Sequence, residues 1–340
     1  MEEKKDYKKA EFWKLLKDKI VKCELCPHFC VVKEGEYGKC KVRKNINGQL
    51  IAMSYEKPVS VNIDRIEKKP LYHFLPGTLS YSIGMAGCNL GCSFCQNWEL
   101  SQKSAEELFA PKTNAKEIVN EAIKSGCPSI SYTYSEPTVS YEFVFEMAEI
   151  ARKKGLKNVL VSNGFINPEP LKKLCKYVDA ANIDLKGITE DFYSKICGAR
   201  LKPVLEALKI FKKQKVWLEI TNLIIPGFND SRKDIEKLVL WVKKNLGDEV
   251  PLHFSAFYPM YKMIHVPGTT LKKLKEAREI ALRRGLKYVY TGNLPDEEGN
   301  TTYCFKCKNP LIRRSGFSVI QNKIIKGKCT CGKRIAGVWF

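Results

Sequence analysis

The segment LSYSIGMAGCNLGCSFC, residues 79–95, joins an apolar, strand-like run to a loop that contains three cysteines. The run covers Leu79 to Ile83, and Cys88, Cys92 and Cys95 follow with C-x3-C-x2-C spacing. Because glycine tolerates tight turns and close contacts, a loop with this composition can wrap closely around a bound group; its glycines are Gly84, Gly87 and Gly91. The segment therefore predicts the first strand of the fold, with three thiols at its carboxyl end.

Three clustered cysteines have a specific chemical interpretation. Four thiolates complete a cubane [4Fe–4S] cluster, so a loop that offers three leaves one iron open to another ligand. Phe94, directly before the last cysteine, would shield such a cluster and could stack on a planar group. A zinc knuckle, or a ferredoxin-type cluster with a distant fourth cysteine, is the alternative.

Downstream of this loop, strand and helix patterns alternate. A helix capped by Asn114 precedes the strand 129–135 and stops at Gly126, and a helix from Val139 to Lys154 stops at Gly155. Further strands are predicted at 158–164, 180–187, 216–227, 251–259 and 287–294, with helices from about 203, at 231–245 and near 269–284. Strands that alternate with helices in this way form a parallel sheet.

Nearly every predicted strand ends in polar residues. In β/α barrels the active site is assembled at the carboxyl ends of the strands, while interior strand positions stay apolar. Six or seven such units predict an α/β fold with a partial (β/α)6-type TIM-like barrel, flanked at both ends by small Cys-rich metal-binding modules. The polar strand ends are Tyr134, Ser135 and Glu136; Ser162 and Asn163; Asp184 and Lys186; Thr221 and Asn222; His253 and Ser255; and Asn293.

Composition and charge narrow the class of protein. The 340 residues are 44 % hydrophobic and 28 % charged, which is ordinary for a protein with a full core. No apolar stretch is long enough for a transmembrane helix, and residues 1–20 alternate acids with lysines and lack the apolar core of a secretory signal. A cytoplasmic location without membrane contact is expected. The net charge of +21 suits nucleic acid, acidic proteins or phosphorylated substrates alike and does not decide the reaction.

Three zones are expected along the chain. Residues 1–56 would hold a charged helix and a Cys-rich module, 57–298 the barrel, and 299–340 a basic, zinc-ribbon-like module. Residues 301–340 contain no Asp or Glu, which marks a change of composition after a linker near 295–301.

Eleven of the 14 cysteines fall into three groups, and without a secretory signal such clusters indicate metal sites rather than disulfides. The first group has the four thiolates of a structural zinc site, and a second iron–sulfur cluster that relays electrons is the rival interpretation. The last group resembles a zinc ribbon, although its second knuckle is a short C-x-C. The two terminal groups are Cys23, Cys26, Cys30 and Cys40, and Cys304, Cys307, Cys329 and Cys331. The isolated Cys127, Cys175 and Cys197 are expected to be buried apolar residues.

The last group lies among basic and aromatic residues. Stacking aromatics and cations together suit a nucleic acid, while a ribbon of this kind more often holds a protein partner or caps a barrel. The residues concerned are Arg313, Arg314, Lys326, Lys328, Lys333 and Arg334, with Tyr303, Phe305, Phe317, Trp339 and Phe340.

Several ordered motifs carry a family resemblance. The C-x3-C-x2-C loop resembles the signature of radical S-adenosylmethionine (SAM) enzymes, and SYTYSEPT, LVSNG, NIDLKG, EITNLIIPGFND, PLHFSAFYP and YTGNL are similar to the motifs of pyruvate formate-lyase activating enzymes. The N-terminal CELCPHFC and EKKPLYHFLPG stretches resemble the radical SAM enzymes named for the AmmeMemoRadiSam system. The resemblance implies that SAM binds the open iron and is cleaved by one electron to a 5′-deoxyadenosyl radical.

The resemblance also assigns roles to individual residues. It implies that Glu136, with Tyr134 and Ser135, binds the methionyl amine, and that Lys186 neutralises the methionyl carboxylate. Asn163 and Asp184 would bind the ribose, His253 would face the ribose, and Ile224 would pack on adenine. Simpler interpretations stay open: Asp184 and Lys186 as an ion pair, His253 as a core histidine, and Glu136 as a helix N-terminal acid.

The sequence therefore predicts a radical SAM oxidoreductase that abstracts hydrogen from a substrate. By resemblance the substrate is a protein or peptide, as for a glycyl-radical activase, and the electron comes from a reduced ferredoxin or flavodoxin-type donor. Radical modification of RNA or a small metabolite is the second hypothesis. A non-enzymatic zinc protein that binds nucleic acid or serves as a scaffold is the third.

Overall fold

In the computed structural model, which describes residues 7–339, residues 7–56 form a module of short antiparallel strands. A three-stranded sheet and a hairpin make up this module: β1 (Trp13–Leu15), β2 (Val21–Cys23) and β3 (Val31–Val32), then β4 (Arg43–Ile46) and β5 (Gln49–Ala52). Asn47 and Gly48 turn the hairpin with φ of 53° and 73°, as a two-residue turn of this kind requires.

The sequence predicts a charged helix before the first cysteines. This prediction is wrong for residues 7–20, the part of the predicted helix that the structure describes. Phe12, Asp18 and Lys19 have φ of 56°, 54° and 57°, which interrupts any helix. The segment instead pairs Trp13 with Cys23 and buries Val21 completely. Strand pairing around the cysteines thus overrides the helix propensity of the lysines and glutamates. Residues 1–6 lie outside the described part of the chain.

The central sheet has eight strands in the order β13-β12-β11-β10-β9-β8-β7-β6. Seven successive strands are parallel, and β6 pairs antiparallel with β7 at one edge. Because β6 and β13 stand at opposite ends of this order, the barrel is partial, as predicted. The strands are β6 (Ser60–Arg65), β7 (Leu79–Gly84), β8 (Ser129–Tyr132), β9 (Lys157–Ser162), β10 (Ala180–Asp184), β11 (Trp217–Ile224), β12 (Leu252–Ala256) and β13 (Val289–Gly292).

Helices follow the parallel strands along the chain. They are α1 (Trp98–Ser101), α2 (Ala115–Lys124), α3 (Tyr141–Lys153), α4 (Pro168–Leu174), α5 (Glu190–Phe192), α6 (Leu201–Lys213), α7 (Arg232–Leu246), α8 (Leu271–Arg283) and α9 (Glu297–Asn300). The predicted cap is confirmed: Asn114 accepts from the Glu117 amide at 3.0 Å, and the Glu117 carboxylate accepts from the Asn114 amide at 3.1 Å. The seven-residue α4 was not predicted, because it is short and contains two prolines.

Residues 66–77, between β6 and β7, fill the end of the barrel at which the parallel strands begin. This segment is called the floor segment from here on. The buried Glu219 carboxylate on β11 accepts from the amides of Tyr72 at 3.0 Å and His73 at 2.8 Å. Buried carboxylates need such partners, so these bonds hold the floor segment inside the barrel.

The C-terminal module covers the floor segment from outside. It contains β14 (Thr302–Tyr303), β15 (Pro310–Ser315) and β16 (Ser318–Asn322). Val338 pairs with Phe74 and donates to the His73 carbonyl at 2.8 Å, while the buried Arg314 donates to the Tyr72 carbonyl at 2.8 Å. These contacts place part of the module against the end of the barrel opposite the carboxyl ends of the strands.

Within residues 7–339, no helix combines the length and the apolar character needed to cross a bilayer.

Candidate active site

A cavity of about 510 Å³ opens at the carboxyl ends of the parallel strands. Its wall includes the three thiols of the C-x3-C-x2-C loop together with polar residues from the ends of β8 to β12. Ten of the residues predicted for the site line it: Cys88, Cys92, Phe94, Cys95, Tyr134, Ser135, Glu136, Asn163, Asp184 and Lys186. One cavity thus joins residues from four separate βα units.

The cysteine loop is held by hydrogen bonds from neighbouring units. Asn89 donates its amide to the Phe165 carbonyl at 2.7 Å, and Gln102 donates to the Leu90 carbonyl at 3.1 Å. The amides of Gly91 and Ser93 donate to the carbonyls of Cys197 and Ile196 at 2.9 and 3.0 Å. These bonds hold the loop in place.

Polar groups approach two of the three sulfurs. Asn163 Nδ2 lies 3.6 Å from Cys88 Sγ, where the Leu90 amide also donates at 3.3 Å, and Ser101 Oγ lies 3.2 Å from Cys95 Sγ. Burial raises the pKa of the Cys88 and Cys95 thiols, so thiolates at these positions need a bound cation. This surrounding suits a metal group whose sulfurs are hydrogen-bonded by the protein.

Cys197, predicted as an isolated buried thiol, lies beside the loop. It is fully buried, its carbonyl accepts from the Gly91 amide at 2.9 Å, and its thiol lowers the pKa of the neighbouring Cys92. Cys127 and Cys175 are also buried, as expected. The contact between Cys197 and Cys92 joins residues over a hundred positions apart, and no local pattern around Cys197 indicates it.

Glu136 is buried and accepts several hydrogen bonds. Its Oε1 accepts from the Thr138 amide at 3.0 Å, Thr138 Oγ1 at 2.7 Å and Ser162 Oγ at 2.8 Å, and its Oε2 accepts from the Asn163 amide at 2.8 Å. Burial raises the pKa of this carboxyl, which these donors partly offset. Glu136 therefore caps the 3₁₀ turn Pro137–Ser140, in agreement with its simpler interpretation as a helix N-terminal acid. Its Oε2 can still accept a hydrogen bond from another donor.

Asp184 and Lys186 form an ion pair at the cavity wall, with Lys186 Nζ 2.9 Å from Asp184 Oδ2. Burial alone would lower the pKa of Lys186, but the negative charge of Asp184 and the nearby thiols raises it well above the usual value. The ammonium thus stays charged, 5.7 Å from the centre of the Phe94 ring. The simpler interpretation of Asp184 and Lys186 as an ion pair is therefore confirmed, and both residues also line the cavity.

Some cavity residues were not predicted. Lys68 and Lys69 line it, and both donate to Asp64, at 2.8 and 2.6 Å. Tyr134, at φ 69°, also donates its hydroxyl to Asp64, while its carbonyl accepts from Asn97 at 2.6 Å. The lysines belong to the EKKPLYHFLPG stretch, and the family resemblance of that stretch was the available signal.

Two predicted residues lie away from the cavity wall, and both predictions are corrected. Side chains alternate across a strand, and on β11 it is Thr221 and Leu223 that face the cavity, so the buried Ile224 faces the helices. His253 lies below the cavity, where its Nε2 is 2.7 Å from Glu219 Oε2 and its ring contacts Tyr72. His253 is therefore a core histidine, and Ser255 occupies the rim on its strand.

The C-terminal cysteines converge far from this cavity. Cys304 Sγ lies 3.7 Å from Cys331 Sγ, and Cys307 Sγ lies 3.6 Å from Cys329 Sγ. All four sulfurs lie within 4.8 Å of one another, despite the short C-x-C knuckle.

Known proteins resemble this chain over most of its length. A family model described as "Radical SAM superfamily" matches residues 82–242. An uncharacterized protein of Methanocaldococcus jannaschii is 48 % identical, over 96 % of this chain and 98 % of its own length. A pyruvate formate-lyase-activating enzyme of Staphylococcus epidermidis is 24 % identical, over 65 % of this chain and 92 % of its own.

A solved structure shares the fold. A radical SAM methyltransferase from Sphaerobacter thermophilus aligns with a TM-score of 0.50 and 17 % identity, covering 64 % of this chain and 67 % of that protein. At this identity the likeness concerns architecture alone.

Proposed function

The chain belongs to the radical SAM superfamily, and we propose that it cleaves SAM reductively and uses the resulting radical to abstract hydrogen from a protein or peptide. Membership makes the chain an enzyme and sets aside the non-enzymatic scaffold. The observation that carries the proposal is the single cavity that joins Cys88, Cys92 and Cys95 to the polar ends of β8, β9 and β10.

The three thiols fit a [4Fe–4S] cluster better than a single zinc ion. Zinc–sulfur distances of about 2.3 Å bring tetrahedral ligands to within about 4 Å of one another. Among the described residues, the C-terminal quartet is the group with such spacing, and the loop cysteines do not meet it. In a cubane each thiolate binds a different iron, so the sulfurs stand farther apart.

The residues around the thiols have proposed roles in binding the cosubstrate. When bound, the cluster would supply one electron that cleaves the sulfonium of SAM to a 5′-deoxyadenosyl radical. Glu136 Oε2 would accept from the methionyl amine, and Lys186 would neutralise the carboxylate, since charge-assisted bonds are the strong ones. Asp184 would accept from a ribose hydroxyl. The side-chain amide of Asn163 already donates to Asn89 Oδ1 and toward Cys88 Sγ. These bonds support a role for Asn163 in positioning the cysteine loop, in addition to a contact with the ribose.

Apolar side chains at the rim support a peptide or protein substrate. They project from loops that follow the carboxyl ends of the strands, the side on which barrel enzymes bind substrate. The exposed residues are Phe109 (94 %), Ile264 (71 %), Tyr258 (44 %) and Phe228 (41 %), and Phe317 (45 %) of the C-terminal module also lines the cavity. The activating enzymes among the relatives are named for a protein that they act on.

The C-terminal quartet is proposed to hold structural zinc. Its sulfur spacing supports a tetrahedral site. Part of the basic and aromatic set is used in docking within the chain, whereas Arg313, Lys326, Lys328 and Arg334 are exposed, so RNA stays the second candidate substrate. Arg314 is buried against the floor segment, Trp339 packs near His73, and Phe305 contacts Tyr288; Phe340 lies outside the described residues. Residues 299–340 are therefore proposed as a module that closes the barrel, with 1–56 and 57–298 as the other units.

An anaerobic assay tests the proposal. Wild-type protein with dithionite and SAM should form 5′-deoxyadenosine, and Cys92→Ala should form none. Adding a pool of peptides with α-deuterated glycine should transfer deuterium to 5′-deoxyadenosine, since the substrate hydrogen ends on that product. Transfer from deuterated RNA but from no peptide or protein would reject the proposed substrate class while keeping the radical chemistry.

A further inference from the structure

The N-terminal module brings four thiols together behind the cysteine loop. Cys23, Cys26 and Cys40 are buried and Cys30 is half-buried. The Cys23 amide donates to the Cys30 carbonyl at 2.9 Å, the Phe29 amide donates to the Cys26 carbonyl at 3.1 Å, and the Lys39 amide, next to Cys40, donates to Cys30 Sγ at 3.4 Å. The four sulfurs therefore share one pocket, although β2, a loop and the turn before β4 supply them.

Their spacing differs from that of the C-terminal quartet. In the described residues 7–339, the sulfurs of the C-terminal quartet lie within 4.8 Å of one another, and no three of the N-terminal sulfurs do so. A single tetrahedral zinc ion requires the closer arrangement, with sulfurs about 4 Å apart. Four thiols that lie together with wider spacing, three of them buried, suit a larger group, in which each sulfur binds its own iron.

Two donors face the sulfurs. The Lys39 amide donates to Cys30 Sγ at 3.4 Å, and Arg43 Nη1 lies 3.6 Å from Cys23 Sγ. Arg43 is only 1 % exposed and is ion-paired with Glu142, so the pocket contains a fixed cation. A buried cluster with four thiolates is anionic, and a buried guanidinium with N–H donors to sulfur offsets that charge.

The pocket lies directly behind the loop that carries Cys88. The ring of His28 contacts the Asn89 carbonyl with Nε2 at 2.7 Å. Gly87 has φ of 87°, and a Cβ there would lie 2.5 Å from the Cys40 carbonyl oxygen. With standard chain geometry, this contact puts the Cα atoms of Cys40 and Cys88 no more than about 10 Å apart.

We propose that Cys23, Cys26, Cys30 and Cys40 hold a second [4Fe–4S] cluster, which passes electrons to the group at Cys88, Cys92 and Cys95. The relay rests on the proposed function, whereas the second cluster does not. One electron from a reduced ferredoxin-type protein would reduce the second cluster, which returns to its oxidised state when that same electron moves to the first. All four irons of the second cluster have protein ligands, so it binds no SAM.

Metal analysis of the full-length protein, purified without oxygen, tests the site directly. The expected result is iron and sulfide for two cubanes with one equivalent of zinc. Mössbauer spectra should show SAM altering one cluster and leaving the other unchanged. Iron for one cubane with two equivalents of zinc would overturn the proposal.

Variants test the relay separately. Cys26→Ser should lose half of the iron and sulfide, keep 5′-deoxyadenosine formation with dithionite, and lose it with reduced ferredoxin. Cys30→Ser, at the half-buried position, is the milder second variant should Cys26→Ser fail to fold. Full iron content in both variants rejects the site, and an unchanged ferredoxin-driven rate after loss of half the iron rejects the relay. If the wild type makes no deoxyadenosine with dithionite, the proposed function is rejected. The metal analysis still shows whether the protein holds two clusters.

Discussion

Asn163 donates its side-chain amide toward Cys88, with Nδ2 3.6 Å from Sγ, while its backbone amide donates to Glu136 at 2.8 Å. One residue at the end of β9 therefore touches both the thiol loop and the carboxylate proposed to bind the cosubstrate. A hydrogen bond to a cluster sulfur stabilises the reduced, more negative state and so raises the reduction potential.

Asn163→Ala should lower the midpoint potential of the SAM-binding cluster. A net hydrogen bond is worth about 0.5–1.5 kcal/mol, which for one electron corresponds to roughly 20–60 mV. Ser101→Ala, which removes the hydroxyl beside Cys95, should shift the potential in the same direction. Redox titration followed by electron paramagnetic resonance measures both shifts, with the exposed Asn62→Ala as control. An unchanged potential in both variants contradicts the role assigned to these donors.

Cys197→Ala should retain its iron and its deoxyadenosine formation, whereas Cys92→Ala should lose both. The reason is that the fourth iron must stay free for SAM, so the buried Cys197 thiol beside Cys92 serves packing and not ligation. Iron analysis and the dithionite assay compare the two variants. Loss of iron in Cys197→Ala would identify a fourth ligand and remove the open coordination position.

Glu136→Ala should keep the colour of the cluster and bind SAM roughly 10- to 100-fold more weakly, because hydrogen bonds to charged groups are worth about 1.5–3 kcal/mol. Thr138→Val is the matched control, since it removes one local donor to Glu136 and leaves the carboxylate in place. Equilibrium binding of SAM to the oxidised protein provides the measurement. Equal weakening in both variants would make Glu136 a structural cap alone.

Phe317→Ala should raise the KM for a peptide substrate and leave SAM affinity unchanged. Phe317 lines the cavity from the C-terminal module, distant in sequence from the residues proposed to bind SAM. Ile325→Ala, an exposed apolar change in the same module, is the control and should leave KM unchanged. If both variants have the wild-type KM, the proposal that the C-terminal module contacts the peptide substrate is rejected.

His73 should make stability depend on pH. Burial lowers its pKa to about 4; the ring donates from Nδ1 to the Ala336 carbonyl at 2.6 Å and accepts at Nε2 from the Tyr290 hydroxyl at 2.5 Å. The unfolded chain therefore binds the proton first, near pH 6.5, and stability falls as pH drops from there toward 4, by up to about 1.4 kcal/mol per unit.

The comparison with His73→Gln isolates this contribution from the neighbouring Glu219, His253 and Arg314. Melting temperatures measured from pH 7.5 to 5.5 should fall more steeply for wild type than for His73→Gln. Parallel curves would mean that His73 takes up no proton in this range.

Local patterns predicted the βα alternation and the polar rim, because periodicity, caps and strand ends are local properties. Ile224 was placed on the wrong face because a shift of one position in a strand exchanges its two faces. The prediction put His253 at the rim, but its side chain lies below the cavity. Its position along the barrel axis depends on contacts with the floor segment, which comes from a distant part of the chain. The contact of Cys197 with Cys92 is likewise long-range, and the N-terminal lysines and glutamates favoured a helix that the pairing of β1 with β2 overrode.

The pairing of Phe74 with Val338 has a consequence for biosynthesis. A ribosome that adds about 5–20 residues per second reaches Val338 roughly 15–50 s after Phe74. The last barrel strand, β13, ends at Gly292, so the complete set of strands has an unsealed underside only for roughly the last 2–9 s of that interval, until a module made late in translation shuts it.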